Sequence, residues 1–240
     1  MNVDIFIPCF IDQFYPETAF SFIKILEKAG CNVRYNPDQT CCGQPSFNSG
    51  YWKETKTLAV KFLDDFEKAD IIVAPSASCT GFIKNYYKKI FAEDQVLLGK
   101  TNELTPRIFE FSDFLVNHLK QVEFNSVFDH RVTFHDSCAG LREYGIKAEP
   151  RILLQNVKGL ELVEMEKLET CCGFGGTFSA KFHSISTAMT EQKVEHAMKT
   201  GAEYIVSTEA SCLMNIEAYI KKQKLPIKGI HLADLLASGL

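Results

Sequence analysis

An α/β fold of two pseudo-symmetric halves, each a small parallel sheet flanked by helices, is predicted by three features of this sequence. Short Val/Ile/Phe-rich runs alternate with helical patterns, the alternation that yields parallel strands covered by helices. The second half of the chain repeats the landmarks of the first in the same order, the mark of an internal duplication. Eight of the nine cysteines fall on those landmarks.

The first half opens on VDIFIPCF (3–10), a strand running into Cys9. Residues 17–29 carry apolar side chains at Ala19, Phe22, Ile23, Leu26 and Ala29, a helical face of period 3.6, and Gly30 marks the stop. Cys41-Cys42-Gly43 comes next, followed by a helical segment over 52–68. DIIVAPSASC (70–79) is a β-run ending in Cys79, and RIFEFSDFLVNHL (107–119) closes the half. RVTFHDSC (131–138) then ends in Cys138, and Cys171-Cys172-Gly173 leads into a helix over 184–200 stopped by Gly201. EYIVSTEASC (203–212) ends in Cys212, and KGIHLADLLASGL (228–240) matches 107–119, with Asp113 and Asp234 in equivalent places. The spacings agree: 31 and 32 residues separate the single Cys from the pair, and 36 and 39 separate the pair from the last Cys. The halves divide as 1–122 and 123–240, related by a pseudo-twofold axis. Residues 121–130 lack Gly/Pro-rich linker character, so tight packing of the halves is expected.

Composition narrows the function. A net charge of −4 with dispersed Lys and Arg argues against nucleic acid. No apolar stretch has the length to span a bilayer, and MNVDIFIPCF lacks the basic start of a signal peptide. A cytoplasmic location follows as an expectation. Thiols stay reduced there, so nine cysteines point to metal or redox chemistry before disulfides.

The repeat sharpens that reading. Cys9, Cys41, Cys42 and Cys79 in one half match Cys138, Cys171, Cys172 and Cys212 in the other, and Cys31 has no counterpart. Duplicated core filler keeps its apolar character but need not keep sulfur at every position. Four thiolates per half is the count for one iron–sulfur cluster or one zinc ion. Adjacent cysteines are unusual around a single zinc, where C-x₂₋₄-C spacing lets two side chains converge, and they suit a larger centre. Gly43, and Gly173, Gly175 and Gly176, let backbone approach a cluster and offer N–H groups to its sulfurs. His135 reads as a strand-end histidine or as a residue tuning a cluster, and Asp136 beside it as a helix cap. Glu209 reads as an oxygen neighbour or a solvent-facing carboxylate, Ser76 and Ser78 as turn residues, and His183 as an exposed helix start. Asp113 and Asp234 read as caps or interface residues, and Trp52 and the phenylalanines as core.

These motifs resemble the cysteine-rich CCG-domain family, which includes the cysteine-rich component of heterodisulfide reductase and the iron–sulfur component of glycolate oxidase. The signature is a single Cys, a CCG some thirty to forty residues on, and a terminal Cys or CxxC; it occurs twice and covers nearly the whole chain. IPCFID, CCGQP, APSASC, HDSC and CCGFGGTF are most similar to the lactate utilization members. That resemblance implies an iron–sulfur electron-transfer subunit of a multi-component oxidoreductase converting L-lactate to pyruvate, with a further iron–sulfur protein among its partners. The heterodisulfide reductase members use five cysteines per motif around noncubane [4Fe-4S] clusters. Here Ser76 and Glu209 occupy the first position of each terminal CxxC. Four cysteines per site then imply one or two [4Fe-4S] clusters per chain, or a cluster at the glycine-richer second site with zinc at the first. The alternatives are a zinc-binding structural or assembly protein and a thiol/disulfide redox subunit.

Overall fold

The computed structural model describes residues 1–240. The first half runs β1 (Asn2–Ile5), α1 (Cys9–Phe14), α2 (Pro16–Lys28), β2 (Asn32–Tyr35), α3 (Gln44–Asn48), α4 (Trp52–Asp65), β3 (Ile72–Ala74), α5 (Ala77–Ile90), α6 (Gln95–Leu104), β4 (Ile108–Glu110) and α7 (Phe111–Asp113). The second runs β5 (Arg131–Phe134), α8 (Ala148–Gln155), β6 (Glu161–Leu162), α9 (Phe178–Lys181), α10 (His183–Met198), β7 (Tyr204–Ser207), α11 (Ala210–Gln223), β8 (Lys228–His231) and α12 (Leu232–Leu236). Each half forms a four-stranded sheet, ordered β2-β1-β3-β4 and β6-β5-β7-β8. Every strand pair is parallel. The duplicated α/β architecture expected from the sequence is present.

Burial explains the strand sequences. Val3, Ile5, Ile72, Val73 and Ala74 on the central strands β1 and β3 are fully buried, as parallel strands covered on both faces must be. The edge strand β2, Asn-Val-Arg-Tyr, is largely exposed. The largest core belongs to neither half alone: Val3, Ile5, Phe22 and Phe111 meet Val132, Phe134, Leu153 and Leu232 in one cluster. Two flanking cores serve one half each, around Phe62, Phe82 and Tyr87 in the first and around Val194, Ile205 and Ile216 in the second. The tight packing predicted from the missing linker is therefore a shared hydrophobic core.

Polar contacts follow the same pseudo-twofold plan. Thr18 Oγ1 donates to Asp234 Oδ2 at 2.7 Å, and the Tyr144 hydroxyl donates to Asp113 Oδ2 at 2.6 Å. The two repeat-matched aspartates thus each accept a bond from the other half. Trp52 departs from its reading as core: it is 69% exposed, because it opens α4 one turn before the helix meets the core at Thr55. Most phenylalanines are buried, but Phe14, Phe20 and Phe182 lie at the surface. No helix is long and apolar enough to cross a membrane.

Candidate metal centre

The strand order places β1 beside β3 and β5 beside β7, with connections leaving in opposite directions from each pair. Such switch points are where open α/β sheets hold their ligands, beyond the carboxyl ends of the strands. The strands end before the cysteines: β1 at Ile5, β3 at Ala74, β5 at Phe134 and β7 at Ser207. Cys9 instead opens α1 after Pro8, whose extended backbone starts the helix, and Cys138 enters a helical turn after β5. Cys79 and Cys212 sit in the first turns of α5 and α11. Helix N-termini lower the cost of a thiolate, since the unpaired N–H groups carry partial positive charge.

The Cys-Cys-Gly loops bring the remaining thiols to these helix starts. Cys9 Sγ lies 3.7 Å from Cys41 Sγ, and Cys41 Sγ accepts from the Gly43 N–H at 3.4 Å. Cys171 Sγ likewise accepts from the Gly173 N–H at 3.3 Å. Gly43 and Gly173 have φ of +90° and +89°, a left-handed turn that aims each N–H back at the thiol. Gly175 and Gly176 line the cavity above the second site. Hydrogen bonds from Cys42 and Cys9 hold the Cys41 thiol well below the ordinary range, and bonds from Cys138 and Cys172 do the same for Cys171. Their donors shift upward: Cys9, Cys42, Cys138 and Cys172 are all raised, chiefly by hydrogen bonding to those thiolates. All nine cysteines are free thiols, and Cys31 lies in the shared core.

One cavity of about 500 Å³ is lined by all eight landmark cysteines. The two sites therefore open onto the same space between the halves. Its lining includes Glu143 and Glu209 but no Lys, Arg or His.

Glu209 is neither solvent-facing nor aimed at its own half's thiols. It is 2% exposed, and its carboxylate crosses to the first half. Ser78 donates to it from N–H at 2.5 Å and from Oγ at 2.8 Å, and Ser76 Oγ donates at 3.2 Å. The two residues that replace a cysteine in the terminal CxxC thus bond each other across the pseudo-twofold axis. Burial raises Glu209 to about 7 and Glu110, the buried N-cap of α7, to about 8. Ser76 caps α5 by accepting from the Cys79 N–H.

His135 differs from its reading as an ordinary strand-end histidine. It is 1% exposed, neither ring nitrogen has a partner, and burial drops it to about 3, so the imidazole stays neutral. A ring nitrogen lies within 4.8 Å of Cys172 Sγ and Cys212 Sγ. Asp136 is buried and clasped by Arg151 through both oxygens, at 2.9 and 2.8 Å. His183 and Lys181 are exposed. Sequence reasoning did not single out Lys193, a fully buried lysine on α10 beside the second site, nor Glu110.

The donor chemistry suits a soft metal or an iron–sulfur group: convergent reduced thiols, one in each site held well below its ordinary range, backbone N–H groups at the sulfurs, and a histidine with orphaned nitrogens. Cys9, Cys41, Cys42 and Cys79 would hold it in the first half, and Cys138, Cys171, Cys172 and Cys212 in the second.

Comparison with known proteins agrees with this duplication. The cysteine-rich domain family (CCG) matches at residues 3–84 and again at 132–217. Lactate utilization protein A of Geobacillus sp. (strain WCH70) is 41% identical over 238 residues, covering 99% of this chain and 100% of that protein. The protein of the same name from Halalkalibacterium halodurans is 41% identical over 236 residues, covering 98% of this chain and 96% of that one. Lactate utilization protein A 2 of Bacillus cereus (strain AH820) is 39% identical over 240 residues, covering 100% of this chain and 99% of that one. Among solved structures, a hypothetical protein from Helicobacter pylori superposes with a TM-score of 0.66 at 11% identity, over 100% of this chain and 49% of that one, a likeness of fold. With the domain matched twice and relatives aligned end to end, the chain belongs to the cysteine-rich CCG-domain family, alongside lactate utilization protein A.

Proposed function

We propose that this chain is an iron–sulfur electron-transfer subunit of a multi-component system that oxidises L-lactate to pyruvate. The observation that carries the reading is the single cavity onto which both four-cysteine sites open. An iron–sulfur cluster at either site would supply one-electron storage. The relatives named for lactate utilization supply the substrate.

The cavity also bears on where lactate binds. A 2-hydroxy acid carries a carboxylate, and recognition of a carboxylate calls for Arg, Lys or an N–H cluster. This cavity is lined by no Lys or Arg, and its acidic groups are Glu143, Glu209 and the low-lying Cys41 and Cys171 thiols. The N–H groups of the Cys-Cys-Gly loops are already directed at the thiols, so lactate is assigned to another component and this chain carries its electrons toward a further iron–sulfur partner.

A second reading concerns the first site alone. The Cys9–Cys41 spacing of 3.7 Å is close to the edge of a tetrahedron with Zn–S bonds of about 2.3 Å, a separation that suits two ligands of one zinc ion.

Deleting the gene in its host tests the assignment. Growth on L-lactate as carbon source is expected to fail, and growth on pyruvate to continue. Unimpaired growth on L-lactate, with no second copy of the gene present, would overturn the assignment.

A further inference from the structure

The two sites share one plan but are lined by different chemistry. Equivalent positions of the repeat can be paired through burial. Thr55, Ala59, Phe62 and Leu63 are the buried positions of α4, and Ser186, Thr190, Lys193 and Val194 fall at the same spacing on α10. Three residues before the first cysteine of each half stand Phe6 and His135. In the first half, Phe6 and Phe62 meet edge to face with ring centroids 5.0 Å apart. In the second half, that aromatic pair is replaced by His135 and Lys193, both buried.

We propose that the second site is the more oxidising of the two because His135 and Lys193 stand where the first site has Phe6 and Phe62. An electron held by the chain then passes from the first site to the second. This inference rests on the iron–sulfur reading of both sites. Reduction adds one negative charge to a group already held by thiolates. Potentials of such groups rise with nearby positive charge and with hydrogen bonds to sulfur.

The second site has a charged group and an unused donor close by. The Lys193 Nζ is spent on no carboxylate: it donates to the carbonyls of Lys167 and Leu168, at 3.1 and 2.9 Å. Burial lowers Lys193 to about 8 while Cys172, Asp136, Cys171 and Cys212 draw it back up, so the ammonium stays charged at neutral pH in their neighbourhood. Asp136 is already neutralised by Arg151, which also pairs with Glu164. The neutral imidazole of His135 has one N–H to give, and a nitrogen of that ring lies within 4.8 Å of two cysteine sulfurs. Phe6 and Phe62 offer neither charge nor donor.

Other features match between the halves and set no difference. The Tyr87 hydroxyl donates to the Cys42 carbonyl as the Asn215 amide donates to that of Cys172. The Gly43 and Gly173 N–H groups bond Cys41 and Cys171 alike. In the transfer itself the first site's group is oxidised by one electron and the second's reduced by one. No bond or proton moves.

The test is a redox titration of the anaerobic chain followed by electron paramagnetic resonance, with iron and sulfide measured on each sample. Two separate midpoints are expected, and Cys172→Ser removes the higher. His135→Phe, which copies the first half, is expected to move the higher midpoint toward the lower while the lower stays in place. Lys193→Met moves it the same way and serves if the histidine variant fails to fold. With both sites loaded, a single midpoint, or variants that leave the higher one unmoved, would overturn the inference and leave the iron–sulfur reading standing. A wild-type chain without iron and sulfide would remove both.

Discussion

Cys172→Ser is expected to remove the metal of the second site and leave the first filled, so that a chain loaded at both sites retains about half its iron and sulfide. Cys172 is 2% exposed and sits in hydrogen-bonding reach of Cys171 and Cys212. A serine hydroxyl neither ionises there nor offers a soft donor. The first site has its own four thiols and its own hydrophobic cluster, which includes Cys42 and Cys79. It has no reason to respond. Cys31→Ser is the control: Cys31 lies in the shared core away from the cavity, and its loss leaves the metal content unchanged. Loss of metal from both sites at once would mean that the two act as one centre.

Gly173→Ala is expected to be the most damaging single methyl in the chain's metal loops. The residue has a φ of +89°, where a Cβ costs about 1–2 kcal/mol. An added Cβ would also stand 2.5 Å from the Ser186 carbonyl oxygen and 2.9 Å from Thr190 Oγ1. The oxygens belong to α10, so the loop must back away, at about 1–3 kcal/mol more by analogy with overpacked cores. Gly43→Ala meets the same backbone strain, but its nearest neighbour is Thr55 Cγ2 at 3.3 Å, a contact a side chain can relieve. Urea unfolding should therefore show a larger loss for Gly173→Ala than for Gly43→Ala. Metal should also leave the second site alone in the first variant. Equal losses would show that strain at φ, and not the approach of α10, limits the loop.

Much of this was legible in the sequence because the repeat made it redundant. Each landmark appears twice, so the strand-to-cysteine runs, the Cys-Cys-Gly loops and the closing helices identify one another. The eight cysteines could be grouped four and four, and all eight line the cavity. What the sequence did not show is how one half meets the other. Glu209, three residues before Cys212, read as an oxygen neighbour of the site or a solvent-facing carboxylate. Its side chain instead crosses the axis to Ser76 and Ser78, a contact between residues 131 and 133 positions apart. The pairing of Asp113 with Tyr144 and of Asp234 with Thr18 depends on the same long-range docking.

Lys193 was missed, and the contrast of His135 with Phe6 was not drawn, for a different reason. The repeat drew attention to positions that match, whereas these two matter where the halves disagree. Setting Phe62 against Lys193 needs a register for the helices that follow each Cys-Cys-Gly, and loops of unequal length hide it. A buried lysine at an apolar position of α10 was nonetheless a visible signal, since charged residues seldom occupy such places without a partner. Trp52 erred the opposite way: its size suggested core, but a helix's first turn can project past the sheet it covers.

Iron, zinc and acid-labile sulfide should be measured per chain on protein purified without oxygen, in the wild type and before any variant. Iron and sulfide in matching amounts, sufficient for a cluster at the second site or at both, is the predicted result. Zinc alone, with no sulfide, would contradict it and leave a cysteine-rich fold without electron chemistry.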